Sequence, residues 1–201
     1  HSDSSAASDV YKRQELNRPA YDNLIQGYAG AMSITGTDKE NPVKSGIPIA
    51  DLGAGLYAVI GILSAIQSRE KNDSGEHVDI SMLDTQVSLL TYMATMHFLS
   101  GENPEPIGNQ HMNHVPFNSY RTSDGFIQIG VVAEDFWPSL IEALDLRQLD
   151  TEENKVRIGR LKNRENIDEA LQEVFITNTT EHWLKILQEH RVPCGLSLIH
   201  I

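Results

Sequence analysis

Thiol chemistry is almost absent from this 201-residue chain, which has a single cysteine, Cys194. That excludes an internal disulfide and a thiolate zinc cage. It fits a reducing compartment, so a cytoplasmic location is expected. Positive charge is also scarce: 16 Lys and Arg against 28 Asp and Glu leave a net charge of −12. A nucleic-acid binder needs a basic face to displace counterions, and a polybasic membrane anchor needs the same residues, so neither partner is expected. No uninterrupted apolar run reaches the length of about eighteen residues that marks a bilayer span. The longest apolar region, residues 52–66, is punctuated by Gly, Ser and Ala, and no transmembrane helix is expected. The glycine-rich phosphate and dinucleotide loops, the G-x-S-x-G elbow and the H-E-x-x-H zinc motif are all missing.

What is present is an ordinary globular mixture, 40% hydrophobic and 22% charged, able to bury a sizeable core. Residues 1–14 and 196–201 are aperiodic and resemble translated cloning or adapter sequence, so the authentic part is expected to be 15–195. Leu24, Ile25, Tyr28, Ala31 and Met32 follow a helical period that Gly36 would end. An extended run at residues 47–50 leads to Asp51, which opens a long helix over residues 52–71. That helix is apolar almost all the way round and is expected to be buried on most sides. Val78, Ile80 and Met82 alternate with Asp79 and Ser81, the pattern of a strand with one wet face. Asp84 is placed to cap a second long helix reaching Leu99, with Val87, Leu90, Ala94 and Phe98 buried.

The composition changes over residues 101–115, which read as a linker between a domain at 15–100 and a smaller one at 116–195. In the second, residues 117–122 and 126–132 flank Ser123-Asp124-Gly125, a strong hairpin signal. Helices follow at 134–144, around Ile167, Leu171 and Phe175, and after a capping Thr180 with Trp183 and Leu187 inward.

Asp51 carries the most chemistry. An Asp just before a helix ordinarily serves as its N-cap. Gly53 and Gly55, however, lie in the first turns, where each costs roughly 1 kcal/mol against Ala. Capping does not need them, whereas close approach of a ligand or another backbone does. A carboxylate ionised at neutral pH needs no base to act as a nucleophile, and helix amides nearby could hold anionic oxygen during acyl transfer. His111 and His114 lack a third metal ligand at a standard spacing, and no metal site is expected. The basic cluster Arg157, Arg160, Lys162 and Arg164 could hold phosphates or form a solvated face balanced by Glu152, Glu153 and Glu165.

Taken in order, several segments resemble the family III CoA-transferases, the CaiB/BaiF family. They are Arg18-Pro19-Ala20-Tyr21-Asp22 with Gln26 and Ser33-Ile34-Thr35-Gly36, then Ala50-Asp51 with Gly55 and residues 60–66. Arg69 and residues 75–84, Gly108-Asn109 with Pro116-Phe117 and residues 122–125, and Val192-Pro193-Cys194-Gly195 complete the match. The resemblance implies an α/β fold. Part of a Rossmann-like large domain, mostly its later helices, would precede a small α+β domain with a hairpin, and the complete protein would be an interlocked homodimer. It implies transfer of CoA from an acyl-CoA to a carboxylic acid acceptor, with the branch acting on succinyl-CoA and other dicarboxylic donors the most similar. Asp51 would be the nucleophile, and Ala20, Tyr21, Asp22, Gly108 and Asn109 would contact CoA or substrate. CoA is then a substrate, and no cofactor is implied. Family members are considerably longer, so this chain is expected to be an incomplete member. Two alternatives stay open: an α-methylacyl-CoA racemase, although that branch carries His where this chain has Tyr21, and an inactive fragment.

Overall fold

The computed structural model describes residues 19–196, so the leader expected at 1–14, the tail beyond Leu196 and Arg18 lie outside the described residues. The chain divides into two compact units, one ending at Gly108 and the other beginning at Asn109.

Among its described residues the first unit is helical: α1 (Asp22–Tyr28), α2 (Ile49–Asn72), α3 (Met82–Ser88) and α4 (Tyr92–Ser100). The single helix expected through Met32 stops at Tyr28, because Gly30 takes φ +81° and turns the chain into a short 3-10 segment at Ala31–Ile34. α2 begins two residues before Asp51, with Pro48 as its N-cap residue. Its expected burial is not found. Only Ala50, Gly53 and Ala54 are fully covered, Ala50 and Ala54 in a cluster with Ala20, Ile25 and Met82, while Leu56 is 67% exposed and Ile60 60%. Against the uninterrupted-run criterion, α2 is also long and apolar enough to cross a membrane by length and composition alone.

The strand expected around Val78 is not formed either. The burial alternation is there, with Val78 and Ile80 half-buried and Asp79 exposed, but no described strand pairs with it. Val78 lies instead against Gly61 of α2, where an added Cβ would sit 2.7 Å from Val78 Cγ1. The long helix expected after Asp84 is two helices. Ser81 caps α3 by accepting the N–H of Asp84, and Thr91, at φ 47°, breaks the chain before α4. Val87 and Phe98, expected inside, are exposed, Phe98 by 81%.

The second unit is α+β. Strands β1 (Phe117–Arg121) and β2 (Phe126–Gly130) form the expected hairpin, paired from Phe117–Gly130 to Arg121–Phe126, and β3 (Cys194–Leu196) adds antiparallel to β2. Helices α5 (Phe136–Leu144), α6 (Arg157–Lys162), α7 (Arg164–Phe175) and α8 (Thr180–Glu189) bury Trp137, Leu140, Ile167, Leu171, Phe175 and Leu187 against the sheet residues Tyr120, Ile127 and Ile129. Thr179, not Thr180, is the N-cap residue of α8.

Candidate active site

The start of α2 is built from both sides. On one side is Asp22, the first residue of α1. Its Oδ1 accepts the backbone N–H of Ala50 at 2.9 Å, and its Oδ2 accepts Gln26 Nε2 at 2.7 Å. Gln26, one turn further along α1 and fully buried, accepts the N–H of Ser45 through Oε1 at 2.8 Å. This relay holds the loop that enters α2. On the other side α3 closes on α2 at Gly53, where an added Cβ would meet Thr85 Cγ2 at 3.0 Å and Leu89 Cδ1 at 3.2 Å. Of the two readings open for Gly53, a ligand or another backbone, it is the approach of a second helix that takes up the space. Gly55 is different: among the described residues nothing lies within 4 Å of the position its Cβ would take.

Asp51 occupies the first turn of this helix and is exposed. Its carboxylate has no hydrogen bond or ion pair among the described residues. It is therefore not the N-cap; Asp22 supplies an acceptor to the helix start, and the Asp51 oxygens are left available. The N-terminal end of a 24-residue helix carries partial positive charge, which favours an anion there. The same end can stabilise oxygen that becomes negative during acyl transfer.

The other predicted residues fall into three places. Ala20, buried against Ala50 and Ala54, Tyr21, 66% exposed, and Asp22 share the α2 start with Asp51. Gly108 sits on another turn, its N–H donating to the Gly36 carbonyl at 2.7 Å, with a φ of +63° that favours glycine. Asn109 belongs to the second unit, where its Nδ2 donates to Ser119 Oγ of β1 at 3.0 Å. Sequence reasoning missed the structural duty of Asp22 and Gln26. Their four-residue spacing on one helix face was the available signal.

The first unit also holds an apolar cleft of about 530 Å³ between the 3-10 segment, α3, α4 and residues 103–106. Leu90, Met93 and Ala94 line it, and Asp51 is not among its lining residues. Among the described residues no cluster of three metal-ligating side chains occurs.

Residues 12–198 match the family model for CoA-transferase family III. The chain belongs to CoA-transferase family III. It is similar to the human succinyl-CoA:glutarate CoA-transferase, 30% identical over 179 residues, which are 89% of this chain and 41% of that one. It is similar also to the succinyl-CoA:mesaconate CoA-transferase of Haloarcula hispanica, 32% identical over 178 residues, which are 89% of this chain and 44% of that one. Among solved structures, a CaiB/BaiF family protein from Brucella suis matches with a TM-score of 0.81 at 29% identity, over 94% of this chain and 50% of that one. The chain thus spans less than half the length of these two curated relatives.

Proposed function

We propose that the protein transfers CoA from an acyl-CoA thioester to a free carboxylic acid, with Asp51 as the covalent carrier. An Asp51 oxygen attacks the thioester carbonyl, the C–S bond breaks, and CoA leaves as thiolate, giving a mixed anhydride. The thiolate attacks the aspartyl carbonyl, the anhydride C–O bond breaks, and the donor acid departs as carboxylate, leaving an aspartyl-CoA thioester. The acceptor carboxylate attacks that thioester and again releases thiolate. The thiolate then takes the acceptor acyl group and returns Asp51 to a carboxylate. No net proton or electron is exchanged, and a nucleophile of this kind splits one difficult exchange into easier steps. Water must be kept from the activated intermediates.

The observation that carries this reading is the exposed Asp51 carboxylate at the start of α2, unpaired among the described residues, with open space among them at Gly55 one turn along. Ala20, Tyr21, Asp22, Gly108 and Asn109 are proposed to contact CoA or acyl groups. Because two relatives are named for succinyl-CoA, a dicarboxylic acyl donor is the donor class to try first. A cytoplasmic interlocked homodimer with a Rossmann-like large domain completes the proposal. In it, the apolar faces of α2 are core surfaces rather than a membrane span.

The test is chemical. Incubation of the complete gene product with succinyl-CoA and hydroxylamine leaves a hydroxamate on Asp51, located by peptide mass spectrometry, and Asp51→Ala abolishes both labelling and CoA exchange while folding is retained. Wild-type exchange by Asp51→Ala, or labelling at another residue, overturns the assignment.

A further inference from the structure

In the basic cluster on α6 and α7 Lys162 is exposed, but the arginines form neither a free phosphate site nor a solvated face. Its three arginines reach alternate carbonyls of one segment of the second unit. Arg164 Nη2 donates to the His111 carbonyl at 2.7 Å, Arg157 Nη1 to that of Asn113 at 3.2 Å, and Arg160 Nε to that of Val115 at 2.8 Å. The segment belongs to no helix or strand and bends at Met112 and Asn113, so these three carbonyls find their donors in one row of guanidinium groups.

Arg160 anchors the row. It is 1% exposed, lies over the Trp137 ring at 5.2 Å, and pairs with Glu134 Oε2 at 2.7 Å. Its Nη1 donates to the Asn154 and Lys155 carbonyls at 2.9 and 3.3 Å, so the charge is well satisfied. Glu134 Oε1 also accepts the N–H of Arg157 and fixes the start of α6. The N-terminal part of the segment is tied as well. Arg164 Nη1 reaches Gln110 Oε1 at 3.4 Å, Gln110 Nε2 reaches Asp168 Oδ2 at 3.3 Å, and Asn109 is held on Ser119. The Asp168 carboxylate in turn accepts the Tyr120 hydroxyl. A segment without helix or strand hydrogen bonds of its own is thus fixed from Asn109 to Val115 by side chains.

We infer that Arg157, Arg160 and Arg164 are positioning residues that hold Asn109 and the segment after it in the conformation that binds the CoA ester. This rests on the proposed function, which puts Asn109 among the CoA-contacting residues. Loosening the segment divides it among conformers of which only a fraction binds, and apparent affinity falls by that fraction. The effect belongs to binding, so KM should move more than kcat.

Arg160→Ala would leave a buried network unpaired and is not the informative variant. Arg157→Ala and Arg164→Ala are better placed, because Arg160 keeps its own partners in both. In the complete gene product, hydrogen exchange of peptides covering residues 109–115 should speed up in both variants. The CoA dissociation constant by calorimetry and the KM for succinyl-CoA should rise roughly 3- to 10-fold, with kcat changed less than KM. Arg164→Lys, which can replace one of the two Arg164 bonds, should recover part of the affinity. Unchanged exchange in the segment, or a fall in kcat at constant KM and constant CoA affinity, overturns the inference. A wild-type protein that neither exchanges nor binds CoA overturns the proposed function itself, and the inference falls with it.

Discussion

The Asp22 carboxylate stands in as an N-terminal acceptor for a helix it does not belong to: it accepts the Ala50 N–H one residue before Asp51. Pro48, at the N-cap position, offers no side-chain acceptor, so the orphan amide of α2 is met from α1. Asp22→Ala removes this acceptor and leaves Gln26 Nε2 with the longer bond to the Ile47 carbonyl, at 3.5 Å. The variant should destabilise the protein by about 1 kcal/mol, read as a lower urea midpoint at unchanged slope. Asp22→Asn keeps an amide oxygen for Ala50 and should fall between. If both variants unfold like wild type, the cap is not what holds the two helix starts together.

The three α2 glycines should respond in opposite directions to alanine. At Gly61 the new Cβ would lie 2.7 Å from Val78 Cγ1, and overpacking should cost about 1–3 kcal/mol. Gly53→Ala meets Thr85 and Leu89 and should also destabilise, by less. Gly55→Ala meets nothing within 4 Å and should gain up to about 1 kcal/mol from helix propensity. If Gly55 leaves room for the CoA ester beside Asp51, the same variant should be more stable in denaturation and yet show a raised KM for succinyl-CoA. A stability gain with unchanged kinetics would remove the ligand reading of Gly55.

Much of the second unit was legible in the sequence because its elements answer one another within the unit. The period-2 runs on either side of Ser123-Asp124-Gly125 do pair, and Ile167, Leu171 and Phe175 do face the strands. In the first unit the periods were legible but their outcome was not. Val78 and Ile80 alternate as a strand would and find no pairing strand among the described residues, so they pack on a helix. The turn at Thr91 divides the expected long helix with no Gly or Pro to announce it. Asp51 was legible as a residue at the mouth of α2, though not as one freed from capping, because that depends on Asp22, which is distant in sequence. The arginine cluster could not be read at all without knowing which carbonyls lay opposite.

The Glu134–Arg160 pair should shape the acid limb of stability. Burial pushes the Glu134 carboxyl up, but hydrogen bonds from Arg160 and from the Arg157 N–H, with both guanidinium charges, outweigh it and hold the group below its ordinary value. A carboxylate with a depressed folded pKa contributes stability that is present above the unfolded value and is lost as pH falls through the folded one. Glu134→Gln should therefore be less stable than wild type at neutral pH, and the gap should close in acid. With Glu134 itself 53% exposed, solvent screening keeps the neutral-pH loss to about 1–2 kcal/mol. Urea titrations at neutral pH and in acid provide the comparison, and a gap independent of pH would show that packing rather than charge holds the pair.

His114 should make the fold acid-sensitive for a different reason. Their rings lie 4.7 Å apart, and His111 Nδ1 accepts the Asn113 N–H, which leaves that ring's proton on Nε2 when it is neutral. His114 Nδ1 is buried without a partner among the described residues. Burial, followed by the neighbouring His111, Arg157 and Arg160, pushes the His114 pKa below its usual value, against a smaller opposing pull from Glu134. Folding then favours the neutral ring. Its contribution is present above the ordinary histidine pKa of about 6.5 and is lost as pH falls toward the lowered folded value. Charging His114 would put a cation against the arginines that grip this segment, so the opening should be local before it is global. Hydrogen exchange of residues 109–115 should accelerate between neutral pH and mild acid beyond the change in intrinsic amide rates, and His114→Gln should flatten that acceleration. An acceleration that survives the substitution unaltered would place the acid sensitivity elsewhere, with Glu134 the next group to test.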